Sequence, residues 1–436
     1  MRDLIRIYLF LAACMAFGQP TGRRVVIISI DGFAAYSLKD PALPIPHLRG
    51  LAAEGAAAEA MTPVNPTVTW PNHTSLVTGV RPALHSVLYN GQAQRQGEGK
   101  PLKVEPWIPK DELVAAPTLY DVAHAAKLTT AEVDWVAIHK PRTITWAFPE
   151  VPSSEGGIER EMAAAGLVTT SEIAGFSKLP ILFRDEIWTR AAEHILMRHK
   201  PNLLLFHLLT TDSLQHSHGA RSLAGNTALA LADAKVGRIL EALRRANTLE
   251  RTTIFVVSDH GFKTVRHLIQ PNALFAASQL GGAAWAIPEG GTAMVYVTRS
   301  EGKPETIGRI RTLLKDVQGI SRILTPVEFA EFGYPTPERN SRMADLVLAA
   351  AEGYAFNSVA NGPVVVPVAD GASPGSHGYL NTDPEMDAIF IAAGPGIRKG
   401  VRLGRIRNLD VAPTAAKLLG VRMENTEGRV LNEILR

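Results

Sequence analysis

Three apolar runs that each stop at an aspartate constrain this chain more than any other feature. "VVIISI", residues 25–30, is apolar on both faces and stops at Asp31-Gly32. "LLLFHLL", residues 203–209, stops at Thr210-Thr211-Asp212, and "TIFVV", residues 253–257, stops at Ser258-Asp259-His260-Gly261. Short runs apolar on both faces are what the central strands of a sheet covered on two sides require. A fourth run, "AIFIAA" at 388–393, leads into Gly394-Pro395-Gly396. Between the second and third runs, Leu229, Ala232, Val236, Ile239, Leu240 and Leu243 recur at three- and four-residue steps. That spacing predicts a helix over about 227–246, and strand, helix, strand makes a βαβ unit with a right-handed crossover. Further helices are predicted over 184–199 and, behind Asp410 as N-cap, over 411–419. The pattern predicts an α/β fold with a largely parallel central sheet flanked by helices. Residues from about 264 to 375 are broken by Gly and Pro, with one strand over 292–298 and a helix near 303–317. They are expected to form a smaller inserted α+β lobe.

The chain has 436 residues, 46% hydrophobic and 20% charged, with a formal net charge of +3. That balance suits a globular protein, and without a Lys/Arg-rich run no nucleic-acid partner is expected. Residues 1–18 read as a signal peptide. Arg2 and Arg6 precede an apolar run from Ile7 to Phe17, too short to span a bilayer, and Ala16-Phe17-Gly18 offers a cleavage site. Leu11-Ala12-Ala13-Cys14 also resembles a bacterial lipoprotein processing box. Export to the periplasm or beyond is expected, with membrane contact only if Cys14 is lipidated, and 19–436 as the catalytic domain. Cys14 is the only cysteine, so the mature chain has no internal disulfide and no thiol nucleophile.

In parallel α/β sheets the carboxyl ends of the strands line the ligand crevice, so Asp31, Asp212 and Asp259 are expected to meet there. One such aspartate is more often a turn former or a helix cap. Three of them, two with a histidine close by, point to metal ligation. His216 follows Asp212 by four residues, which puts both on one helix face. His260 directly follows Asp259, and His377 sits between glycines in "GSHGY". Carboxylate and imidazole are usual zinc ligands, and this set is large enough for two metals. "TWPNHTSLVTG", residues 69–79, reads as a helix start, with Pro71 in the first turn. Thr69 then lies at or just before a helix N-terminus, where free N–H groups favour an anion. Alone it would be read as a cap. Beside a metal its hydroxyl pKa falls and it becomes a candidate nucleophile. His73 reads as support for the site and not as a ligand.

Asp31-Gly32-Phe33, Thr69-Trp70-Pro71-Asn72-His73, Asn90, Asp212-x-x-x-His216, Asp259-His260-Gly261 and Gly375-Ser376-His377-Gly378 occur in this order. Together they resemble the nucleotide pyrophosphatase/phosphodiesterase family of the alkaline phosphatase superfamily, from Val25 to about Leu419. The resemblance implies an alkaline-phosphatase-like fold and two Zn2+ ions. One would be held by Asp212, His216 and His377. The other would be held by Asp31, Asp259 and His260, with Thr69 Oγ as a further ligand. It also implies that Asn90 binds a non-bridging phosphate oxygen. "DGFAAYSL" after the first metal aspartate and "DSLQHSHGA" around the second depart from the family pattern. Neither departure removes a ligand, but both weaken any transfer of substrate.

The expected activity is zinc-dependent hydrolysis of phosphodiester or pyrophosphate bonds, nucleotide-type substrates included, through a phospho-threonine on Thr69. Asn90 and the backbone N–H groups around Thr69 and Trp70 would hold the phosphate charge, and losing one such donor costs ~10²–10³ in rate. Two alternatives stand beside it. A phosphomonoesterase would need an extra cation, for which Lys140 and Arg142 in "HKPR" are candidates; otherwise these form a solvated loop. A non-catalytic zinc-binding surface protein would have no reason to keep Thr69 and Asn90. A sulfatase would carry Cys or Ser at position 69. Trp70 could stack a substrate base, whereas Trp135 and Trp146 read as packing residues.

Overall fold

The computed structural model describes residues 22–369 and 375–436. The expected signal peptide and Cys14 lie outside the described residues. The main sheet comprises β1 (Arg24–Ile30), β2 (Ala56–Thr62), β3 (Thr130–Val133), β4 (Trp146–Phe148), β5 (Leu203–Leu208), β6 (Thr252–Val257), β7 (Phe390–Ala393) and β8 (Val401–Arg407). Across the sheet their order is β8, β2, β7, β6, β1, β5, β3, β4. β1 is central and pairs in parallel with β5 and β6. Each of these three strands is buried almost throughout, which is why their sequences are continuously apolar.

β7 is the one strand that runs against its neighbours, antiparallel to both β6 and β2. A strand buried on both faces has the same pattern in either direction, so the sequence carries no signal for this reversal.

The helices that matter to the site are α1 (Thr69–Thr78), α2 (Gly157–Ala164), α3 (Ile181–Arg198), α4 (Thr210–His218), α5 (Leu223–Arg245) and α6 (Val411–Leu419). α5 buries the predicted stripe, Leu229 through Leu243, in a core shared with α3 and one face of the sheet. α1 and α6 close the other face through Leu76, Val77, Val411 and Ala415. Each fully buried large aliphatic side chain contributes about 1.5–3 kcal/mol. Asp410 stands at the N-cap position of α6 but does not cap it. Its carboxylate accepts from the N–H groups of Arg407 and Arg429, stapling the strand before the helix to the chain after it.

A second, four-stranded antiparallel sheet is formed by Ala284–Glu289, Thr292–Val297, Leu346–Ala350 and Ile320–Leu324. The helix Lys303–Leu314 packs Ile310 and Leu314 into its core. Its first hairpin reaches the main domain: Gly291 N–H donates to the His377 carbonyl at 2.8 Å. Gly378 has φ +81°, and a Cβ there would lie 1.6 Å from the Glu289 carbonyl oxygen. Only glycine lets the chain pass this hairpin, and that passage sets His377.

Candidate active site

The register of the central strands brings the aspartates together. Ile30 opposes Leu208 and Ser29 opposes Val257, so β1, β5 and β6 end nearly level. Asp31, Asp259 and His260 follow these ends and are 0% exposed. Asp259 Oδ1 accepts from the N–H groups of Gly32 (3.1 Å) and His260 (2.9 Å). Asp31 Oδ2 lies 3.0 Å from His207 Nε2. The opposite oxygens, Asp31 Oδ1 and Asp259 Oδ2, have no hydrogen-bond partner, and neither do Asp212 Oδ1 and His260 Nε2.

Those free atoms converge. His260 Nε2 is 3.4 Å from Asp31 Oδ1 and 3.1 Å from Asp259 Oδ2. Asp212 Oδ1 is 3.4 Å from His216 Nε2 on α4 and 3.6 Å from His377 Nε2. Asp31, Asp259 and His260 form one set of mutually reachable ligand atoms, and Asp212, His260 and His377 form another. His260 therefore lies within reach of both sets, where sequence reasoning gave it to one.

The imidazoles are oriented from behind. His216, His260 and His377 direct Nδ1 at the carbonyls of Gly375 (3.0 Å), Gly261 (3.1 Å) and Thr67 (3.0 Å). Those carbonyls can only accept, so Nδ1 carries the proton and Nε2 presents a lone pair to the carboxylates. The rings of His260 and His377 stack 3.8 Å apart at 14°.

Electrostatics fit the same reading. Burial first, then Asp259 and Asp212, push the Asp31 carboxyl well above its ordinary range. Burial lowers His260 to about 4 and His377 to about 3, which keeps both neutral. Burial opposes ionisation of Asp212, but His216 and His377 hold its pKa below the ordinary value. Three carboxylates around unpartnered buried oxygens are costly unless a cation neutralises them. Carboxylate oxygens and imidazole Nε2 atoms are the donor set that zinc takes.

Sequence reasoning missed His207, which lay unnoticed in "LLLFHLL". It bridges Asp31 Oδ2 (3.0 Å) and Asp134 Oδ2 (3.1 Å). Burial works against its charge, but Asp134 and Asp31 raise its pKa well above 6.5. The available signal was an imidazole inside a strand of leucines and phenylalanine, where a polar group needs a partner.

Thr69 is the first residue of α1, and Gly79 ends that helix with φ +70°. The N-cap position is held by Val68, so Thr69 stands inside the first turn and is not the cap of the helix. The carbonyl of Thr69 meets His73 Nδ1 at 2.9 Å, and the same Nδ1 lies 3.6 Å from Asp259 Oδ2. The carbonyl of Thr67 holds His377, so the start of α1 touches both ligand sets. His73 is fully buried, and burial lowers its pKa to about 3.

Asn90 comes to the same place. Its Oδ1 accepts the Trp70 N–H at 2.9 Å. The expectation that the Trp70 N–H is free to hold phosphate is thus corrected. That donor is taken, and the Asn90 amide Nδ2 is the donor left beside Thr69. Gly91, with φ +134°, fixes this turn, since a Cβ there would strike Val104 and the Glu105 carbonyl.

A cleft of about 560 Å³ opens beside α1. Its lining includes Trp70, Trp107, Trp135, Glu132, Lys140 and Glu150. The segment 134–140, which supplies part of its wall from Trp135 onward, carries three non-glycine residues with left-handed backbone: Asp134 (φ 55°), Ala137 (φ 55°) and Lys140 (φ 48°). Such residues cost about 1–3 kcal/mol each and collect at ligand sites. Burial raises Glu132 to about 8. Of the two candidate cations, Lys140 lines the cleft, whereas Arg142 is 86% exposed and turned to Asp111 at 3.4 Å. The structure therefore does not bring the pair together. Trp135 packs edge-on against His73, and Trp146 stacks on His199, away from the cleft. Among the described residues, no helix is long and apolar enough to cross a membrane.

The type I phosphodiesterase / nucleotide pyrophosphatase family model matches residues 25–380. Human ectonucleotide pyrophosphatase/phosphodiesterase family member 7 is 24% identical over 425 residues, covering 94% of this chain and 83% of that protein. The mouse bis(5'-adenosyl)-triphosphatase is 22% identical over 418 residues, covering 93% of this chain and 79% of that protein. Murine ectonucleotide pyrophosphatase/phosphodiesterase 5 superposes with a TM-score of 0.73 at 19% identity, over 95% of this chain and 100% of that one. An inactive threonine-to-alanine variant of that protein, in complex with AMP, gives the same TM-score and coverage. The fold is thus the alkaline-phosphatase-like α/β fold. By the match across most of its length, the chain belongs to the type I phosphodiesterase / nucleotide pyrophosphatase family of hydrolases.

Proposed function

We propose that the chain hydrolyses phosphodiester or pyrophosphate bonds of nucleotide-type substrates through a phospho-threonine on Thr69, with two Zn2+ ions as cofactors. Asp212, His216 and His377 would hold one ion, and Asp31, Asp259 and His260 the other, with Thr69 Oγ as a further ligand. The observation that carries this is the convergence of the unpartnered atoms Asp31 Oδ1, Asp212 Oδ1, Asp259 Oδ2 and His260 Nε2 beside the first turn of α1. When bound, the ions supply Lewis acidity that favours the ionised Thr69 hydroxyl and neutralises the leaving oxygen.

The chain's own residues do the rest. Thr69 Oγ attacks phosphorus, the P–O bond to the leaving group breaks, and the leaving oxygen departs from the opposite face. Water then attacks the phosphorus linked to Thr69, releasing a phosphate monoester such as a nucleotide and returning a proton to restore the Thr69 hydroxyl. Asn90 Nδ2 donates to a non-bridging oxygen. The carbonyl contacts on Nδ1 fix the tautomer and aim the Nε2 atom of each of the three imidazoles. The aromatic cleft beside Trp70 receives the organic part of the substrate and excludes water from it. A nucleotide-type substrate agrees with the AMP held by the murine structural relative.

A diesterase is favoured over a monoesterase because Arg142 points to solvent and Lys140 alone lines the cleft. Export by way of residues 1–18 belongs to the same reading. Rates on bis-p-nitrophenyl phosphate and p-nitrophenyl phosphate, for wild type and Thr69→Ala, test the proposal. Preference for the diester, abolished in the variant, is expected. A hundredfold preference for the monoester, or unchanged hydrolysis by Thr69→Ala, would overturn it.

A further inference from the structure

We propose that Glu161, His194 and His199 form a third metal site, separate from the cleft, for a divalent transition cation of the zinc class. Glu161 lies on α2, His194 lies on α3, and His199 is the C-cap of α3. Glu161 Oε2 is 2.9 Å from His194 Nε2 and 2.8 Å from His199 Nε2. One ligand atom from each residue lies within 4.8 Å of the others. Two imidazole nitrogens and one carboxylate oxygen, with room for water, are a familiar zinc ligand set.

Metal bonds of about 2.0–2.2 Å set tetrahedral ligand atoms roughly 3.3 Å apart. Reaching that spacing takes a shift of about half an ångström. The side chain able to give is Glu161, which is 40% exposed. The imidazoles are 12% and 16% exposed and held by packing. His199 stacks on Trp146 at 4.7 Å and 27°, and the His194 ring crosses it at 72°. Ligands fixed on two packed helices need little reorganisation to bind.

The place of this cluster separates it from catalysis. Trp146 opens β4, and His199 precedes the first residue of β5 by four positions, so the cluster sits at the amino ends of the strands. The catalytic carboxylates sit at the carboxyl ends, about 20 Å away along a six-residue strand. No step of hydrolysis calls on these three residues. A cation here ties α2 to α3 over the edge strand β4, and its binding stabilises the folded chain.

The test is metal counting after equilibration with Zn2+, on the whole protein, for wild type, the double variant His194→Ala/His199→Ala, and Glu161→Gln. The wild type is expected to bind one more equivalent than the double variant. That difference cancels whatever the cleft holds, so a failure of the two-zinc reading and a failure of this one give different results. Glu161→Gln keeps an oxygen that can accept from both imidazoles but loses the charge. It is expected to bind the extra equivalent about tenfold or more weakly, and to lose the zinc-dependent rise in melting temperature that depends on it. All variants should keep wild-type turnover. Equal metal counts in wild type and double variant would overturn the proposal. So would Glu161→Gln with unchanged affinity, since the extra equivalent would then be held without the carboxylate.

Discussion

The buried carboxylate–imidazole cluster and the aromatic cleft beside it, floor and rim of the candidate site, are built on different terms. On the floor, Asp31, Asp259 and His260 have no solvent exposure, and each is fixed by contacts to the backbone or to another buried side chain. On the rim, Lys140 is exposed and loop-borne, Trp107 is 46% exposed, and Asn90 stands exposed beside Trp70. The floor is over-determined by three strand ends, so its chemistry is set by the fold. The rim can change without disturbing the core, so substrate choice is expected to be decided there.

The largest effect should come from the group that joins the two. Thr69→Ala is expected to lower diester turnover by on the order of 10⁴-fold or more, with metal content unchanged. If metal is lost too, Thr69 belongs to the floor as a structural ligand, and the division between floor and rim is drawn in the wrong place.

Removing metal should strike the floor alone. Chelation is expected to abolish turnover and to lower stability by about 4 kcal/mol for each site held at a thousandfold excess over its Kd. Calorimetry with and without chelator reads this, and an unchanged melting temperature would mean that the carboxylates are satisfied without a cation.

The stripped protein should also show its buried imidazoles in acid. Burial lowers His260 to about 4 and His377, His73 and His85 to about 3. In the unfolded chain these protonate near 6.5, so the unfolded state takes up protons first. Their contribution is complete above about pH 6.5 and is lost as pH falls toward 4 and then 3. His207 and His216 are raised, so their contribution is already complete below about pH 6.5 and does not change across this window, whereas raised buried carboxyls such as Asp31, Glu132 and Asp134 act in the opposite sense. Melting temperature in chelator is expected to drop across that window, and a rise there would show that the raised carboxyls outweigh the buried imidazoles.

On the rim, Asn90→Ala should cost ~10²–10³ in turnover, read by steady-state kinetics, because it removes one charge-holding donor. Trp107→Ala, at the cleft mouth, should raise KM a few-fold with kcat nearly unchanged, the mark of uniform binding. If kcat falls instead, the cleft wall takes part in the chemical step.

The same division explains what could be read in the sequence. Strands buried on both faces announce themselves as unbroken apolar runs, so β1, β5 and β6 and the aspartates at their ends were legible, as was the stripe on α5. The reversed direction of β7 was not, because an apolar run has no polarity. His207 was hidden by the very strand that made Asp212 visible. The cleft wall was hidden for another reason: Asp134, Ala137 and Lys140 adopt left-handed backbone without the glycine that usually signals it. Lys140 and Arg142 looked like a pair in "HKPR", but that left-handed turn at Lys140 separates them. Trp70 and Asn90 were read as candidate site residues, yet their mutual hydrogen bond follows from a turn that spacing does not specify.

The account turns on Thr69 as the attacking group, and the stereochemistry at phosphorus tests that most directly. A chiral phosphorothioate diester hydrolysed in oxygen-isotope-labelled water through two successive in-line displacements, first by Thr69 and then by water, is inverted twice. Hydrolysis is expected to proceed with overall retention of configuration. Inversion would mean that water attacks the substrate directly, and that Thr69 does no more than begin a helix.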